Sequence, residues 1–464
     1  MRELQVTTTT GGDAALKEAT LGELKASLRG PLLLPGDAGY DPARQLWNGM
    51  IDKRPALIAR CAGVADVMAC VNFARTHNVL VSVRGGDHSA AGNAVCDGGL
   101  MIDLSFMNSV HVDPSKRIAR AGGGARWRDF DHETQAFGLA TTGGTNSDTG
   151  VGGLTLGGGL GWLAGKYGLA CDNLLSVDLV TADGRFLTAN ATENTDLFWG
   201  IRGGSGNFGI VTSFEFQLHA VGPTVLGGMV LYSFERAKEA LRFYSDFSRT
   251  IPDEVNTIGA LLTSPEGAPV VAIAVCYNGP FEQGEAVLRP LREFGQPLAD
   301  HIAAIPYMAV QTMLDEAFPR GRHYYWKGSF VTDISPELIT ALVEHFATVP
   351  SPFSAIAFQQ LGNAANRVGK DDTAFSHRNA RYDCLAIAGW TNPAEAEMNI
   401  QWTRRFFDLT RAFSSGGLYV NSVIEQDVLQ SAYRAETYAR LVALKNKYDP
   451  TNFFRMNPNI KPTV

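Results

Sequence analysis

A single imidazole follows two glycines in the segment VRGGDHS, residues 83–89, directly after an apolar run that predicts a strand. A histidine in such a loop can carry a proton, bind a metal ion, form a covalent bond to a cofactor, or simply complete the loop. His88 alone does not separate these four roles. The glycines around it and the rest of the chain must decide which chemistry it serves.

Glycine is concentrated in three loops, at residues 84–92, 143–161 and 203–209, in a chain that has 49 glycines in all. Backbone N–H groups free of side-chain bulk can surround a diphosphate with little positive charge. Arg84 adds one cation beside the first loop. Glycines that only make turns are the alternative, but three dense loops in one half of the chain favour a dinucleotide site.

The third loop contains GGSGNFG, in which Gly204, Gly206 and Gly209 match the spacing of a nicotinamide-dinucleotide fingerprint. That fingerprint requires a helix directly after the glycines. Here the next residues, IVTSFEFQLHAV, include an alternation of apolar and polar side chains with a period of two, which predicts a strand. The fingerprint is therefore excluded, and the glycine loops indicate FAD.

Composition bounds the class of protein. The chain has 464 residues, 45% hydrophobic and 19% charged, which is typical of a globular protein of two or three domains. Its 47 acidic and 40 basic residues leave a net charge of −7, and no basic tract indicates a nucleic-acid partner. No apolar run has the length of a membrane span or signal peptide, so we expect a cytoplasmic protein. The six cysteines show no metal-binding spacing, which predicts neither a metal site nor a disulfide framework.

The order of elements predicts an α+β protein. Residues 54–85 have the pattern of a strand, a helix that ends near Asn78, and a second buried strand. Residues 141–173 are predicted to be mostly glycine loop. We expect an N-terminal tail and helix at 1–44, an FAD-binding domain at 45–221, a substrate-binding domain at 222–416 and a C-terminal segment at 417–464.

Four segments carry a more specific signal: VRGGDHS, TGVGGLTLGGGLGWLAGKYGLACDNL, LFWGIRGGSGNFGIVT and YDPTNFFRMNPNIKP. Together they resemble the FAD-linked oxidases of the berberine bridge enzyme-like group, within the vanillyl-alcohol oxidase superfamily. The resemblance covers about residues 45–221 and 417–463. It implies a PCMH-type FAD-binding domain of two subdomains, and an α+β substrate domain whose antiparallel sheet is covered by helices. It also implies that the C-terminal segment returns to the FAD domain.

The resemblance implies two covalent bonds to FAD. In the family, the histidine of the GGxHS loop bonds to the flavin 8α carbon and the cysteine of YGLACDN bonds to C6, which assigns these bonds to His88 and Cys171. Asp87 departs from the small residue usual at its position, where a carboxylate would tune His88 or bind solvent. The other residues expected around FAD are Arg84, Gly85, Gly86, Asp87, Ser89, Gly143, Gly144, Thr145, Asp148, Thr149, Gly150, Gly152, Gly153, Gly158, Gly159, Gly209, Ile210, Val211, Asn421, Asn457 and Asn459.

For catalysis, the resemblance points to a Tyr-x-Asn element on a strand near the C-terminus, matched by Tyr419 and Asn421. Alternation places both on one face of that strand, and Tyr419 is the predicted base for the substrate proton. FQQLGNAANRV resembles the family's FxPYGG element. It puts Gln359, or Gln360 in the other register, beside the substrate, where a glutamine can orient but cannot act as a carboxylate base. Thr149 matches the position that gates dioxygen in the family.

The resemblance implies an FAD-dependent oxidase. It takes hydride from an alcohol of a bulky small molecule, such as a sugar, a glycoside or a secondary metabolite, and reduces dioxygen to hydrogen peroxide. A dehydrogenase with another acceptor, an amine or alkaloid oxidase, and a flavoprotein without redox turnover remain open.

The segment HYYWKGSF supplies further pocket candidates in Tyr324, Tyr325 and Lys327. We expect no metal, nucleic-acid or membrane partner, and either a monomer or a dimer.

Overall fold

Strands form where β-branched and aliphatic residues cluster between turn-forming residues. The computed structural model describes residues 3–464. The strands in this range are β1 (Glu3–Thr7), β2 (Asp13–Lys17), β3 (Leu32–Leu33), β4 (Leu57–Arg60), β5 (Val81–Arg84), β6 (Leu100–Asp103), β7 (Val110–Asp113), β8 (Ile118–Gly122), β9 (Leu139–Ala140), β10 (Leu174–Val180), β11 (Phe186–Asn190), β12 (Ile210–Gln217), β13 (His219–Ala220), β14 (Thr224–Ser233), β15 (Val255–Thr263), β16 (Pro269–Tyr277), β17 (Ala299–Asp300), β18 (Ala303–Pro306), β19 (His323–Val331), β20 (Ala355–Gln360) and β21 (Tyr382–Trp390).

Helices alternate with these strands, which confirms the α+β class. The helix Pro336–Phe346 shows how the sequence sets the start of a helix. The Ser335 hydroxyl accepts a hydrogen bond from the Leu338 N–H, and Pro336 occupies the first turn. The helices are α1 (Glu18–Ser27), α2 (Tyr40–Arg44), α3 (Val64–Thr76), α4 (Trp127–Gln135), α5 (Val151–Leu156), α6 (Ala164–Tyr167), α7 (Thr195–Ile201), α8 (Ala237–Thr250), α9 (Phe281–Glu293), α10 (Tyr307–Thr312), α11 (Pro336–Phe346), α12 (Asn363–Arg367), α13 (Ala396–Thr410) and α14 (Ala435–Tyr448). None of them is both long and apolar enough to cross a bilayer.

A small parallel sheet carries the first glycine loop. β4 and β5 both pair with β6 in parallel, and β3 adds an antiparallel edge, giving the order β3-β4-β6-β5. The strand–helix–strand prediction is confirmed: α3 buries Val67 and Val71, and Asn78 has the left-handed φ of 54° expected of a helix stop. Because β5 ends at Arg84, the loop with His88 leaves the end of this sheet.

A second, antiparallel sheet has the order β11-β10-β12-β8-β7. β12 begins directly after Gly209 and pairs with both β10 and β8. The glycines of the third loop therefore precede a strand, which confirms that the nicotinamide fingerprint is absent there. The two sheets form the two halves of the glycine-rich part of the chain.

The segment after residue 222 forms a larger antiparallel sheet with the order β17-β14-β16-β15-β20-β21-β19, and β18 also pairs with β14. Helices α8, α11 and α13 pack against this sheet around a shared apolar core. The opposite face of the sheet points toward the glycine loops, so this domain closes over the first two sheets.

The C-terminal segment returns to the glycine-rich half. Leu441 and Leu444 of α14 pack in the core of the antiparallel sheet, and Phe453 and Phe454 pack in the core of the parallel sheet. Lys445 is fully buried and donates to Asp449 and to the carbonyls of Asn207 and Phe454. This lysine therefore ties the C-terminal segment to the third glycine loop.

Three local expectations are wrong. Residues 3–17 form the β1–β2 hairpin, not a tail, because Val6 and Leu16 are buried in the core of the parallel sheet, with Leu4 and Ala14 packed against it. The expected glycine loop before β10 contains the short helices α5 and α6. Tyr419 and Asn421 lie at a 3₁₀ turn, Val420–Ser422, where the sequence predicts a strand.

The buried Lys445–Asp449 pair gives a stability test. Asp449→Asn leaves the buried ammonium group without its anionic partner, and we expect a loss of about 3–5 kcal/mol in the free energy of unfolding, measured by chemical denaturation. Lys447→Met is the control, since Lys447 pairs with Asp196 at the surface, where both side chains are exposed by more than a third. Equal losses of unfolding free energy in the two variants would show that the buried Lys445–Asp449 pair does not hold the C-terminal segment in place.

Candidate active site

A cavity of about 430 Å³ lies between the glycine loops, the C-terminal segment and the inner face of the large sheet. The predicted residues that line it are Gly85, Gly86, Asp87, His88, Ser89, Thr145, Thr149, Gly150, Gly152, Gly153, Gly209, Ile210, Val211, Gln359, Tyr419, Asn421 and Asn457. The predicted residues outside its lining are Arg84, Gly143, Gly144, Asp148, Gly158, Gly159, Cys171 and Asn459.

Two of the glycine loops touch each other at the cavity wall. A Cβ on Gly86 would lie 2.2 Å from the Gly150 Cα, and one on Gly150 would lie 2.5 Å from the Gly86 Cα. Any side chain at either position would separate the loops, so glycine is required at both. Their contact brings loop 84–92 and the start of α5 together along one wall of the cavity.

Other glycines serve packing away from the cavity. A Cβ on Gly158 would lie 2.7 Å from the Phe375 ring, one on Gly159 would lie 2.4 Å from the Ala170 Cβ, and one on Gly143 would lie 2.8 Å from the Trp127 ring. These glycines do not line the cavity, and their contact with a cofactor stays a prediction. Glycine frequency alone does not separate close packing from ligand contact.

His88 lies in the cavity wall. Its ring stacks on Trp47 with 4.3 Å between ring centroids, and its Nε2 is buried with no hydrogen-bond partner among the described residues. Burial lowers the pKa of His88 to about 4, so the ring is neutral at neutral pH. A neutral imidazole in the wall of a cavity can form a bond to a bound group.

Asp87 gathers three guanidinium groups behind His88. Its carboxylate pairs with Arg84, lies 3.2 Å from Arg126 Nη2 and lies 2.6 Å from Arg320 Nη2. The Asp87 side chain has no exposed surface, so it does not bind solvent as one alternative proposed. Its φ of 56° is left-handed, a conformation that aspartate tolerates better than most residues. Arg84 is therefore engaged by carboxylates and is not free to bind a diphosphate.

Asp148 belongs to the same ion cluster. It pairs with Arg126 and with Arg128, whose Nη2 lies 2.6 Å from Asp148 Oδ1, and it lies 3.3 Å from Arg320. The Asp148 carboxylate therefore pairs with these arginines, and Asp148 does not line the cavity. Asn459, another predicted cofactor contact, uses its backbone N–H to bind the Gln426 side chain.

Cys171 is not brought to the cavity. It lies in an apolar cluster with Leu169, Phe330 and Tyr419, and its side chain is fully enclosed. Burial raises the pKa of the Cys171 thiol, whereas covalent chemistry requires the thiolate. The structure gives no support to a second attachment point at this residue.

Tyr419 of the C-terminal segment lines the cavity, and its oxygen accepts three hydrogen bonds. The donors are the backbone N–H of Gly159 at 3.0 Å, that of Leu160 at 3.4 Å and the Asn421 amide at 2.9 Å. Burial raises the pKa of Tyr419, while these donors lower it because they favour the phenolate. Asn421 also donates to the Leu154 carbonyl, so it positions Tyr419.

The sequence analysis missed Asp383, a buried acid on β21. Both of its carboxylate oxygens are buried without a hydrogen-bond partner among the described residues, and it lines the cavity. Burial raises the pKa of Asp383 to about 7. The signal was present in YDCLAIAGW, where one acid interrupts an otherwise apolar strand, because an unpaired buried carboxylate is rare outside functional sites.

Gln359 lies directly opposite Asp383 in the β20–β21 ladder and lines the cavity. Gln360 points the other way, where its side chain accepts from Thr257 at 2.8 Å and donates to the Ser248 carbonyl. The register left open by the sequence is thus decided in favour of Gln359. Gly328 on β19 leaves the space beside the Asp383 carboxylate, since a Cβ there would lie 3.0 Å from Oδ1.

The candidates from HYYWKGSF lie elsewhere. Tyr325 and Lys327 both bind Glu425 at 2.7 Å, and Tyr324 stacks on Trp47. Trp326, the residue between them, lines the cavity instead. Within residues 3–464, no group of three or more His, Cys, Asp or Glu side chains is arranged to hold a metal ion.

The lining fits FAD. Glycine-lined backbone suits a diphosphate, and the neutral His88 ring in the cavity wall suits covalent attachment of the flavin ring. Comparison with known proteins supports this: residues 55–190 match the family described as FAD binding domain, and residues 419–461 match the family described as berberine and berberine like. The fold and site together define an FAD-linked oxidoreductase.

Relatives extend over the whole chain. An FAD-linked oxidoreductase of Dictyostelium discoideum is 32% identical over 95% of this chain and 97% of its own length. The (R)-6-hydroxynicotine oxidase of Paenarthrobacter nicotinovorans is 33% identical over 94% of this chain and 97% of its own. The structure of Physcomitrella patens BBE-like 1 superposes with a TM-score of 0.87 at 25% identity, covering 96% of this chain and 99% of that one. The chain belongs to the berberine bridge enzyme-like family of FAD-linked oxidoreductases.

Burial of Asp383 predicts a pH dependence of stability. The pKa of about 7 in the folded protein lies above the ordinary value of 3.8, so between these values the folded protein holds a proton that the unfolded chain has lost. The free energy of unfolding therefore falls as pH rises from about 4 to about 7, by up to about 4 kcal/mol from this group.

Denaturant unfolding of the unmodified protein and of Asp383→Asn across this pH range measures the effect. We expect Asp383→Asn to remove much of the decline, and Asp246→Asn, which changes an exposed acid on α8, to keep it. If the free energy of unfolding falls with pH as much in Asp383→Asn as in the unmodified protein, the pH dependence does not come from Asp383.

Proposed function

We propose that the protein is an oxidase that holds FAD through a covalent bond from His88 and oxidises an alcohol of a bulky small molecule. The observation that carries the proposal is the convergence of Tyr419, Asp383 and Gln359 on the cavity that His88 also lines. FAD, when bound, accepts the hydride, and dioxygen is reduced to hydrogen peroxide. The protein's own groups bind the substrate and move its hydroxyl proton.

Tyr419 is the proposed base. Its oxygen is surrounded by three N–H donors, which stabilise the negative charge of a phenolate in the same way as an oxyanion hole. Asp383 and Gln359 are the other polar side chains that the large sheet offers to the cavity, and they orient the substrate hydroxyl. Thr149 lies in the glycine wall of the cavity and is the proposed residue for dioxygen access.

Oxidation of an amine is the second candidate. Asp383 is an unpaired acid in a cavity whose lining, among the described residues, contains no lysine or arginine, so a protonated amine would be attracted there. A relative 33% identical to this chain is named (R)-6-hydroxynicotine oxidase. Alcohols and amines share the proton transfer to Tyr419, so the site is compatible with either.

Attachment through His88 alone is testable on the flavin-loaded protein. After acid denaturation we expect the yellow colour to stay with the unmodified chain and with Cys171→Ala, and to be released from His88→Ala, since His88 lines the cavity and Cys171 does not. Absorbance of the precipitated protein and of the supernatant measures the bound fraction. Flavin retained by His88→Ala would contradict the proposal.

The role of Tyr419 is testable by anaerobic rapid mixing of the flavin-loaded protein with an alcohol or amine that the protein oxidises. Tyr419→Phe keeps the ring but removes the proton acceptor, and we expect flavin reduction to slow by roughly 10²–10⁴-fold. Asp383→Asn should slow flavin reduction less than Tyr419→Phe does. If ionisation of Asp383 near pH 7 changes the rate of flavin reduction in the unmodified protein, this change should be absent in Asp383→Asn. Tyr325→Phe, outside the cavity, is the matched control.

A Tyr419→Phe rate within threefold of normal, with a large loss in Asp383→Asn, would assign the base to Asp383 instead. Reoxidation of the reduced protein in air, followed in the same instrument, separates an oxidase from a dehydrogenase that uses another acceptor. Flavin that no alcohol or amine reduces would favour a flavoprotein without redox turnover.

A further inference from the structure

The inner face of the large sheet forms a continuous floor beneath the cavity. Strand register puts its lining residues in rows, since side chains two apart on a strand share a face. In the first row Gln359 pairs with Asp383 on one side and with Ile258 on the other. This row carries the polar groups already described.

The next two rows are apolar. In the second, Ala357 pairs with Ala260 and with Leu385, and Ala260 pairs in turn with Ala272. In the third, Ile387 pairs with Ala355 and with Trp326. All of these residues line the cavity. Small side chains in the middle of the sheet and larger ones at one edge make a shallow, flat slot.

The slot has a direction. Trp326 packs near Trp47, which stacks on His88, so the third row lies toward the histidine side. The first row lies toward Tyr419, whose pKa is affected by the charge of Asp383. From Asp383 to Ile387 the strand advances four residues, or about 13 Å, so the two apolar rows are long enough to lie under a fused ring system.

Resting on the proposed function, we propose that the substrate is an apolar, ring-built molecule whose oxidised carbon bears its single polar group at the first row and whose body lies on the two apolar rows. A carbohydrate carries hydroxyl groups along its whole length, and those over Ala357, Leu385 and Ile387 would lose water without gaining a partner from the sheet. An apolar ring system gains free energy from the same surface. The slot therefore selects against oligosaccharides.

Binding can be measured without turnover. The flavin-loaded protein, kept reduced with dithionite, is titrated by calorimetry with 1-(2-naphthyl)ethanol, an apolar secondary alcohol, and with cellobiose. We expect the Kd for the naphthyl alcohol to be at least tenfold lower than that for cellobiose.

Leu385→Asn keeps the branched shape of the side chain but replaces its two methyl groups with an amide, and we expect it to raise the naphthyl Kd at least tenfold because the amide is buried under the ring. Leu385→Met is the matched control and should stay within threefold. Flavin content and thermal unfolding of both variants show whether they are folded. A naphthyl Kd no lower than that of cellobiose would overturn the inference, as would a folded Leu385→Asn protein with an unchanged naphthyl Kd.

Peroxide formation in air is measured separately with both compounds. Tight naphthyl binding without oxidation of any alcohol or amine would overturn the proposed oxidase function and would still support an apolar ligand. Oxidation of cellobiose, with tighter cellobiose binding, would support the oxidase function and overturn the apolar substrate class.

Discussion

One buried carboxylate joins the three parts of the molecule that meet at the site. Asp87 belongs to the loop that leaves the parallel sheet, Arg126 precedes α4 beside the antiparallel sheet, and Arg320 precedes β19 of the large sheet. A carboxylate with no exposed surface requires these cations, because an unpaired buried charge costs several kcal/mol. The position of His88, the next residue, follows from this arrangement, and so does the closure of the large sheet over the glycine loops.

The cavity that results has two different walls. The glycine wall offers backbone and one neutral imidazole, whereas the sheet offers an apolar floor with Asp383 and Gln359 at one end. Tyr419 comes from neither wall but from the C-terminal segment, which α14 and the buried Lys445 hold against the third glycine loop. In the proposed function, proton transfer takes place where the C-terminal segment meets the sheet. The rest of the cavity is left for binding.

Local sequence patterns predicted the framework well. The strand–helix–strand unit before His88 and the strand after Gly209 both have strong hydrophobic periodicity. The Tyr419 turn, the β1–β2 hairpin and the separation of Cys171 from the cavity depend on tertiary contacts that short patterns do not contain. Glycine was ambiguous for a physical reason, because close backbone packing and ligand contact both require the absence of a side chain. Asp383 could have been suspected from the single acid in the apolar run YDCLAIAGW, but only the structure shows that its carboxylate is buried without a partner among the described residues.

We propose that one cavity presents His88 to the flavin and presents Tyr419 and Asp383 to the reacting carbon of the substrate. The most informative measurement is a crystal structure of the flavin-loaded protein. We expect electron density that is continuous from the His88 ring to the flavin, with the Tyr419 hydroxyl and the Asp383 carboxylate facing the substrate space beside the flavin ring. A flavin attached at Cys171, or a flavin ring outside this cavity, would contradict it.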